Sequence, residues 1–224
     1  RPRTSLGFHG LPTVVTAPNA IDELFELSGR ATGDYVELLP VDPFYRLVWP
    51  DGVTLEYNAD ADAVSSAIAR ISPRDVAGYR KFLEFSEAVF RAGYLKLGTV
   101  PFQSFWSMMR VAPQLIRLRS DRSVYSVVSD YMQDPHLRQA FSFQSLLIGG
   151  NPFHVSSIYA LIHALERQWG VRFPRGGTGA LVRAMVRLFQ DLGGEVRLNT
   201  PVQEIRVLRD DLLESLSLPC VELV

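Results

Sequence analysis

The chain has 224 residues, 47% of them hydrophobic, which is enough to bury a substantial core but does not decide between one domain and two. Its formal net charge of -1 excludes the basic excess of a nucleic-acid protein. The single cysteine, Cys220, excludes a disulfide framework and a cysteine-rich metal site, and the histidines at 9, 136, 154 and 163 lack ligand spacing. No metal is expected.

Taken in order, residues 12–16 read as a strand and residues 19–28 as a helix, with Asn19 as N-cap, Asp22 and Glu23 in the first turn and Gly29 as stop. Strand-like pieces follow at 35–39, 44–49 and 53–57. Pro50-Asp51-Gly52 turns the last two into a hairpin. From Asp60 to Trp169 the pattern is mostly helical. Ser72-Pro73-Arg74-Asp75 reads as a capping box opening a helix towards Leu97. A second helix covers about 103–119, bent near Pro113, and a third starts at Asp134-Pro135 and ends at Gly149-Gly150. The last covers 155–169, with Ile158, Leu161, Ile162, Leu165 and Trp169 on one side.

Arg172 to Ile205 is the most informative stretch. Pro174 forces an extended entry, and Gly176, Gly177 and Gly179 permit a sharp turn. The helix that follows places Leu181, Met185, Leu188, Phe189 and Leu192 on one face, which predicts that they are buried. Gly193-Gly194 stops it, and strands are expected at 195–199 and 203–207. Glycines at a helix N-terminus suit either a tight turn without a ligand or the approach of a phosphate or polar cofactor edge. An α+β chain results, with antiparallel strands at both ends and a helical layer between them.

Five blocks of residues carry a resemblance: 40–46 (PVDPFYR), 73–79 (PRDVAGY), 93–102 (GYLKLGTVPF), 137–143 (LRQAFSF) and 149–153 (GGNPF). Together with the glycine turn they resemble the flavin-dependent carotenoid desaturases, of the bacterial type that carries phytoene towards lycopene. The likeness runs over about residues 12–207. It implies the substrate-domain portion of a two-domain, amine-oxidase-like flavoprotein. Residues 1–59 would border both domains, 60–170 face substrate and membrane, 171–208 return to the flavin domain, and 209–224 form a tail without a counterpart. It implies FAD as cofactor, phytoene or a related C40 polyene as substrate, and a quinone or oxygen as electron acceptor. The flavin is needed because side chains cannot accept two electrons from an allylic C–H. The family's N-terminal glycine-rich fingerprint and its C-terminal glycine-rich segment have no match here, so an internal portion, inactive and weak in FAD binding by itself, is expected.

Carried over by that resemblance, Val202 places its backbone beside the adenine, and Gly176 and Gly177 approach the cofactor cavity. Where relatives carry an Arg-Asp pair followed by a further arginine, this chain reads Trp106, Ser107 and Arg110. Arg110 alone remains as a catalytic candidate, beside an equal reading as a surface arginine. Phe102, Phe105 and Trp106 would contact polyene or membrane, or pack as core. The apolar and basic run from Tyr94 to Arg122 suits docking on a membrane surface. Arg1-Pro2-Arg3-Thr4 opens no apolar leader, and no apolar run approaches the roughly 20 residues of a spanning helix. A cytoplasmic protein with peripheral membrane contact is expected. The alternatives are a related carotenoid isomerase or oxidase, and a non-catalytic lipid-binding fragment.

Overall fold

The hairpin forms where local chemistry dictates it. In the computed structural model, which describes residues 14–95, 118–201, 205–208 and 220–223, strands β2 (Tyr45–Val48) and β3 (Thr54–Tyr57) pair antiparallel, with Tyr45 opposite Tyr57. Gly52 turns the chain at φ +87°, where any Cβ would be strained. Leu55 and Tyr57 point into the core, while Thr54 and Glu56 face solvent, the alternation of a half-buried sheet.

Helix α1 (Pro18–Leu27) precedes β1 (Leu38–Pro40). Ala17, not Asn19, is its N-cap, because Pro18 already takes the first helical position, and no acid occupies the first turn. Of the expected strand at 35–39 only Leu38 and Leu39 are extended, in β1, which a 3-10 turn, Thr32–Asp34, precedes. Strand β4 (Arg172–Pro174) lies between β1 on one side and Val15 on the other. Three distant pieces of chain are thereby tied together.

The helical layer contains α2 (Ala61–Ile71), α3 (Val76–Phe90), α4 (Val124–Tyr131), α5 (Pro135–Ser142) and α6 (Leu161–Trp169). Asp60 caps α2, Ser123 caps α4 and Asp134 caps α5 through their side chains. Ser72-Pro73-Arg74-Asp75 is not a capping box. Asp75 is buried, and its carboxylate accepts from the backbone N–H groups of Gln133 (2.8 Å) and Asp134 (2.9 Å). A long-range pair of orphan donors outcompetes the local one. Phe82, Tyr79, Phe141, Ile68, Leu137 and Val128 fill the core between the hairpin and these helices. Each contributes about 1.5–3 kcal/mol by burial. Gly78 permits the close crossing of α3 and α4, since a Cβ there would meet the Tyr131 carbonyl oxygen at 1.9 Å.

The chain forms two compact units, Arg1–Ala184 and Met185–Val224. Helix α7 (Thr178–Asp191) runs from the first into the second. Ala184 and Leu188 are buried, but Met185, Phe189 and Leu192 are 38%, 50% and 56% exposed, against expectation. Residues 195–199 form no strand; Glu195 and Arg197 pair there instead at 2.9 Å. In the second unit β5 (Ile205–Leu208) pairs antiparallel with β6 (Cys220–Leu223), so the tail beyond 208 contributes a strand.

Candidate functional site

Of the residues singled out in the sequence, Gly176 and Gly177 are described; Val202, Arg110, Phe102, Phe105 and Trp106 lie outside the described residues. The glycine turn is built from β4 outward. Pro174 ends the strand, and its carbonyl accepts from the Gly177 N–H at 2.8 Å. Arg175 fastens the turn to the segment before β1: its N–H reaches the Glu37 carbonyl at 2.8 Å, and its guanidinium pairs with the Glu37 carboxylate, which holds that carboxyl below its ordinary range. Gly176 and Gly177 adopt φ of +86° and +80°, and a Cβ on Gly177 would meet nothing within 4 Å. The backbone at the N-terminus of α7 is thus bare and approachable. First-turn N–H groups and the helix dipole there favour a polar or anionic edge.

A second constellation escaped the sequence reading. On α6, His163 and Glu166 are buried one turn apart, on a helix whose legible feature was its apolar side. The His163 Nε2–H donates to the Phe141 carbonyl at 3.0 Å, so Nδ1 is an acceptor, receiving the Tyr57 hydroxyl at 3.2 Å and the Gln144 amide at 3.3 Å. Burial, with the nearby Arg167 charge adding to it against the Phe141 hydrogen bond, pushes the imidazole down to about 4. Glu166 accepts from the Tyr45 hydroxyl through Oε1, while its Oε2 has no partner. Burial pushes this carboxyl up to about 7, and Tyr45, Tyr57 and Tyr79 are likewise pushed up by desolvation.

The signal for this network was two ionisable residues three positions apart on an amphipathic helix. Its partners were not legible, because they come from β2, β3, α5 and the turn after α5. The arrangement holds a carboxyl that keeps its proton more readily than usual and a neutral imidazole inside the core, and it ties the hairpin to α6. Elsewhere His136 bridges Asp51 (2.9 Å) and Asp134 (3.2 Å) as a surface clasp. Among the described residues no group of His, Cys, Asp or Glu is arranged to hold a metal, and no helix is long and apolar enough to cross a membrane.

Comparison with known proteins adds what geometry leaves open. Residues 5–216 match the family model described as flavin containing amine oxidoreductase. A lycopene-forming phytoene desaturase of Pantoea ananas is 62% identical over 198 residues, covering 88% of this chain and 40% of the relative. Another, from Pseudescherichia vulneris, is 60% identical over 200 residues, covering 89% and 41%. A neurosporene-forming phytoene desaturase of Rhodobacter capsulatus is 44% identical, covering 89% of this chain and 38% of the relative. The chain spans about two fifths of the length of these relatives. With the family model matched over nearly the whole sequence, on an α+β fold of helices and short antiparallel strands, the chain belongs to the flavin-containing amine oxidoreductases.

Proposed function

We propose that this chain is the substrate-side portion of an FAD-dependent phytoene desaturase that works towards lycopene in carotenoid biosynthesis. The observation that carries the reading is the identity of 62% and 60% to two lycopene-forming desaturases across nearly all of this chain. The residues present fit a flavin cofactor at the glycine turn. Gly176 and Gly177 would let it approach the backbone, the α7 N-terminus would meet a polar edge, and Val202 would contact the adenine. Bound FAD supplies the two-electron acceptor that no side chain provides.

The finer assignments belong to the same proposal. Phe102, Phe105 and Trp106 contact the polyene or the membrane, and Arg110 is the polar group at the reacting end. The run from 94 to 122 collects the C40 hydrocarbon from a membrane surface. Two of its cations have a second engagement: Arg119 and Arg122 both pair with Asp130, at 2.9 Å and 3.2 Å. A quinone or oxygen is the final acceptor.

The test is a chimera in which this chain replaces the corresponding 198 residues of the Pantoea ananas relative. It should convert phytoene to lycopene, read as the rise of the polyene's visible absorption. A chimera that folds and retains FAD yet leaves phytoene unchanged overturns the reading.

A further inference from the structure

Between Arg138 and Glu166 the chain carries no Asp, Glu, Lys or Arg, and of the two histidines in that stretch His163 is buried. Within it α5 passes into a 3-10 helix, Phe143–Ile148. Gln144 and Ser145 root this helix in the protein, whereas Leu146, Leu147 and Ile148 are 57%, 49% and 50% exposed. Consecutive residues of a 3-10 helix point about 120° apart, so the outer turn is an apolar knob on every side. Further along the same loop Phe153 is exposed too, its ring braced by Tyr125 with centroids 4.5 Å apart. The loop meets its own backbone donors. Gly149 N–H reaches the Leu146 carbonyl and Gly150 N–H the Ser145 carbonyl, both at 2.9 Å. Phe153 N–H reaches the Asn151 side chain at 3.0 Å, and the His154 and Val155 N–H groups reach the Asn151 carbonyl at 2.9 Å. Pro152 has no N–H to satisfy.

We propose that the knob of Leu146, Leu147 and Ile148, with Phe153 beside it in the loop, inserts among the acyl chains at a bilayer surface, held by apolar burial and not by charge. Three features select lipid over a protein partner. A rigid partner covers one face of a helix, whereas a turn that is apolar all round needs a medium that surrounds it. Backbone that enters hydrocarbon must satisfy its own hydrogen bonds, as the N–H groups of this loop do. A charge carried into the lipid would be costly, and this stretch has no acidic or basic side chain to carry. The exposed Tyr159 ring in the same stretch suits the boundary between lipid and water. This contact differs from the basic run 94–122 in position and in force. It rests on its own geometry and not on the desaturase reading.

The full 224-residue chain is co-sedimented with vesicles of pure phosphatidylcholine, at low and at high salt, and with vesicles that also contain phosphatidylserine. Binding to the uncharged vesicles should saturate with lipid and hold at high salt. Leu147→Asp and Ile148→Asp should each weaken it at least about tenfold, because each sets a charge where apolar surface was buried. Leu27→Asp, on a side chain 81% exposed at the end of α1, should leave binding unchanged. Thermal midpoints check that the variants fold; should the aspartates prevent folding, Phe153→Ser carries the same expectation. The proposal is overturned if uncharged vesicles are not bound, or if the knob variants bind as the parent does. Binding that needs phosphatidylserine and falls with salt overturns it too, and assigns the contact to the basic run. So does a dimer that forms without lipid and that Ile148→Asp dissociates, since the knob would then serve a second copy. The readout needs neither phytoene nor activity, so its failure leaves the desaturase proposal standing, and the reverse.

Discussion

Helices α6 and α7 follow each other across β4 and have similar amphipathic patterns, yet they treat their side chains in opposite ways. Helix α6 buries His163 and Glu166, two residues that ordinarily stay in water. Helix α7 leaves Met185 and Phe189, and just past its end Leu192, substantially exposed, three residues that ordinarily leave water. The first is possible because β2, β3, α5 and the turn after α5 bring hydroxyl, amide and carbonyl partners to the buried groups. The second shows that a face can be apolar without being covered. Periodicity reports which residues share a side of a helix. It does not report what stands opposite.

The sharpest way to break this contrast is to remove the imidazole. His163→Ala leaves the Phe141 carbonyl, the Tyr57 hydroxyl and the Gln144 amide without their partner and opens a cavity. Unfolding free energy should drop by about 4 kcal/mol, measured as a shift in the urea midpoint at constant m-value. A loss under about 1 kcal/mol would mean that the network is not what holds α6 to the hairpin.

A pH series sharpens it next. Glu166 titrates at about 7 when folded against 4.5 unfolded, so the folded chain holds the extra proton and its stability falls as pH rises through that window. His163 titrates at about 4 when folded against 6.5 unfolded, so the unfolded chain holds the extra proton and stability falls as pH drops through that window. The two slopes oppose each other between 4.5 and 6.5, and the parent chain should be nearly flat there as far as these groups decide. Glu166→Gln removes one slope. Its stability should then rise by roughly 3 kcal/mol between pH 4 and 6.5, at 1.36 kcal/mol per unit of displacement. A Glu166→Gln variant with the parent's profile would show that the fold does not raise the Glu166 carboxyl.

On α7 and just past its end the effects are smaller and divided. Leu188→Ala should cost about 2–3 kcal/mol, because that side chain is buried, while Leu192→Ser should change stability by less than about 0.5 kcal/mol. Both are read by thermal or urea denaturation of this chain. A cost above about 1 kcal/mol for Leu192→Ser would mean that the apolar face is covered in solution.

By itself the sequence determined those features whose chemistry closes over a few residues. Asp51-Gly52 specified the β2–β3 hairpin, Asp134-Pro135 specified the start of α5, and Gly176-Gly177 specified a turn into α7. In each case the required backbone angle or cap belongs to the residue in place. The blocks of similarity likewise carried the family. Asn19 and Asp75 show where such local rules stop. Both were read as caps for their own helices, yet Asn19 leaves its side-chain carbonyl buried without a partner and Asp75 holds the backbone of Gln133 and Asp134. Only the tertiary structure decided these placements, the seating of β4 between β1 and Val15, and the pairing of Tyr45 with Glu166 across 121 positions. The reason is physical: a buried polar group must find a partner, but nothing in its sequence neighbourhood says how far along the chain that partner lies.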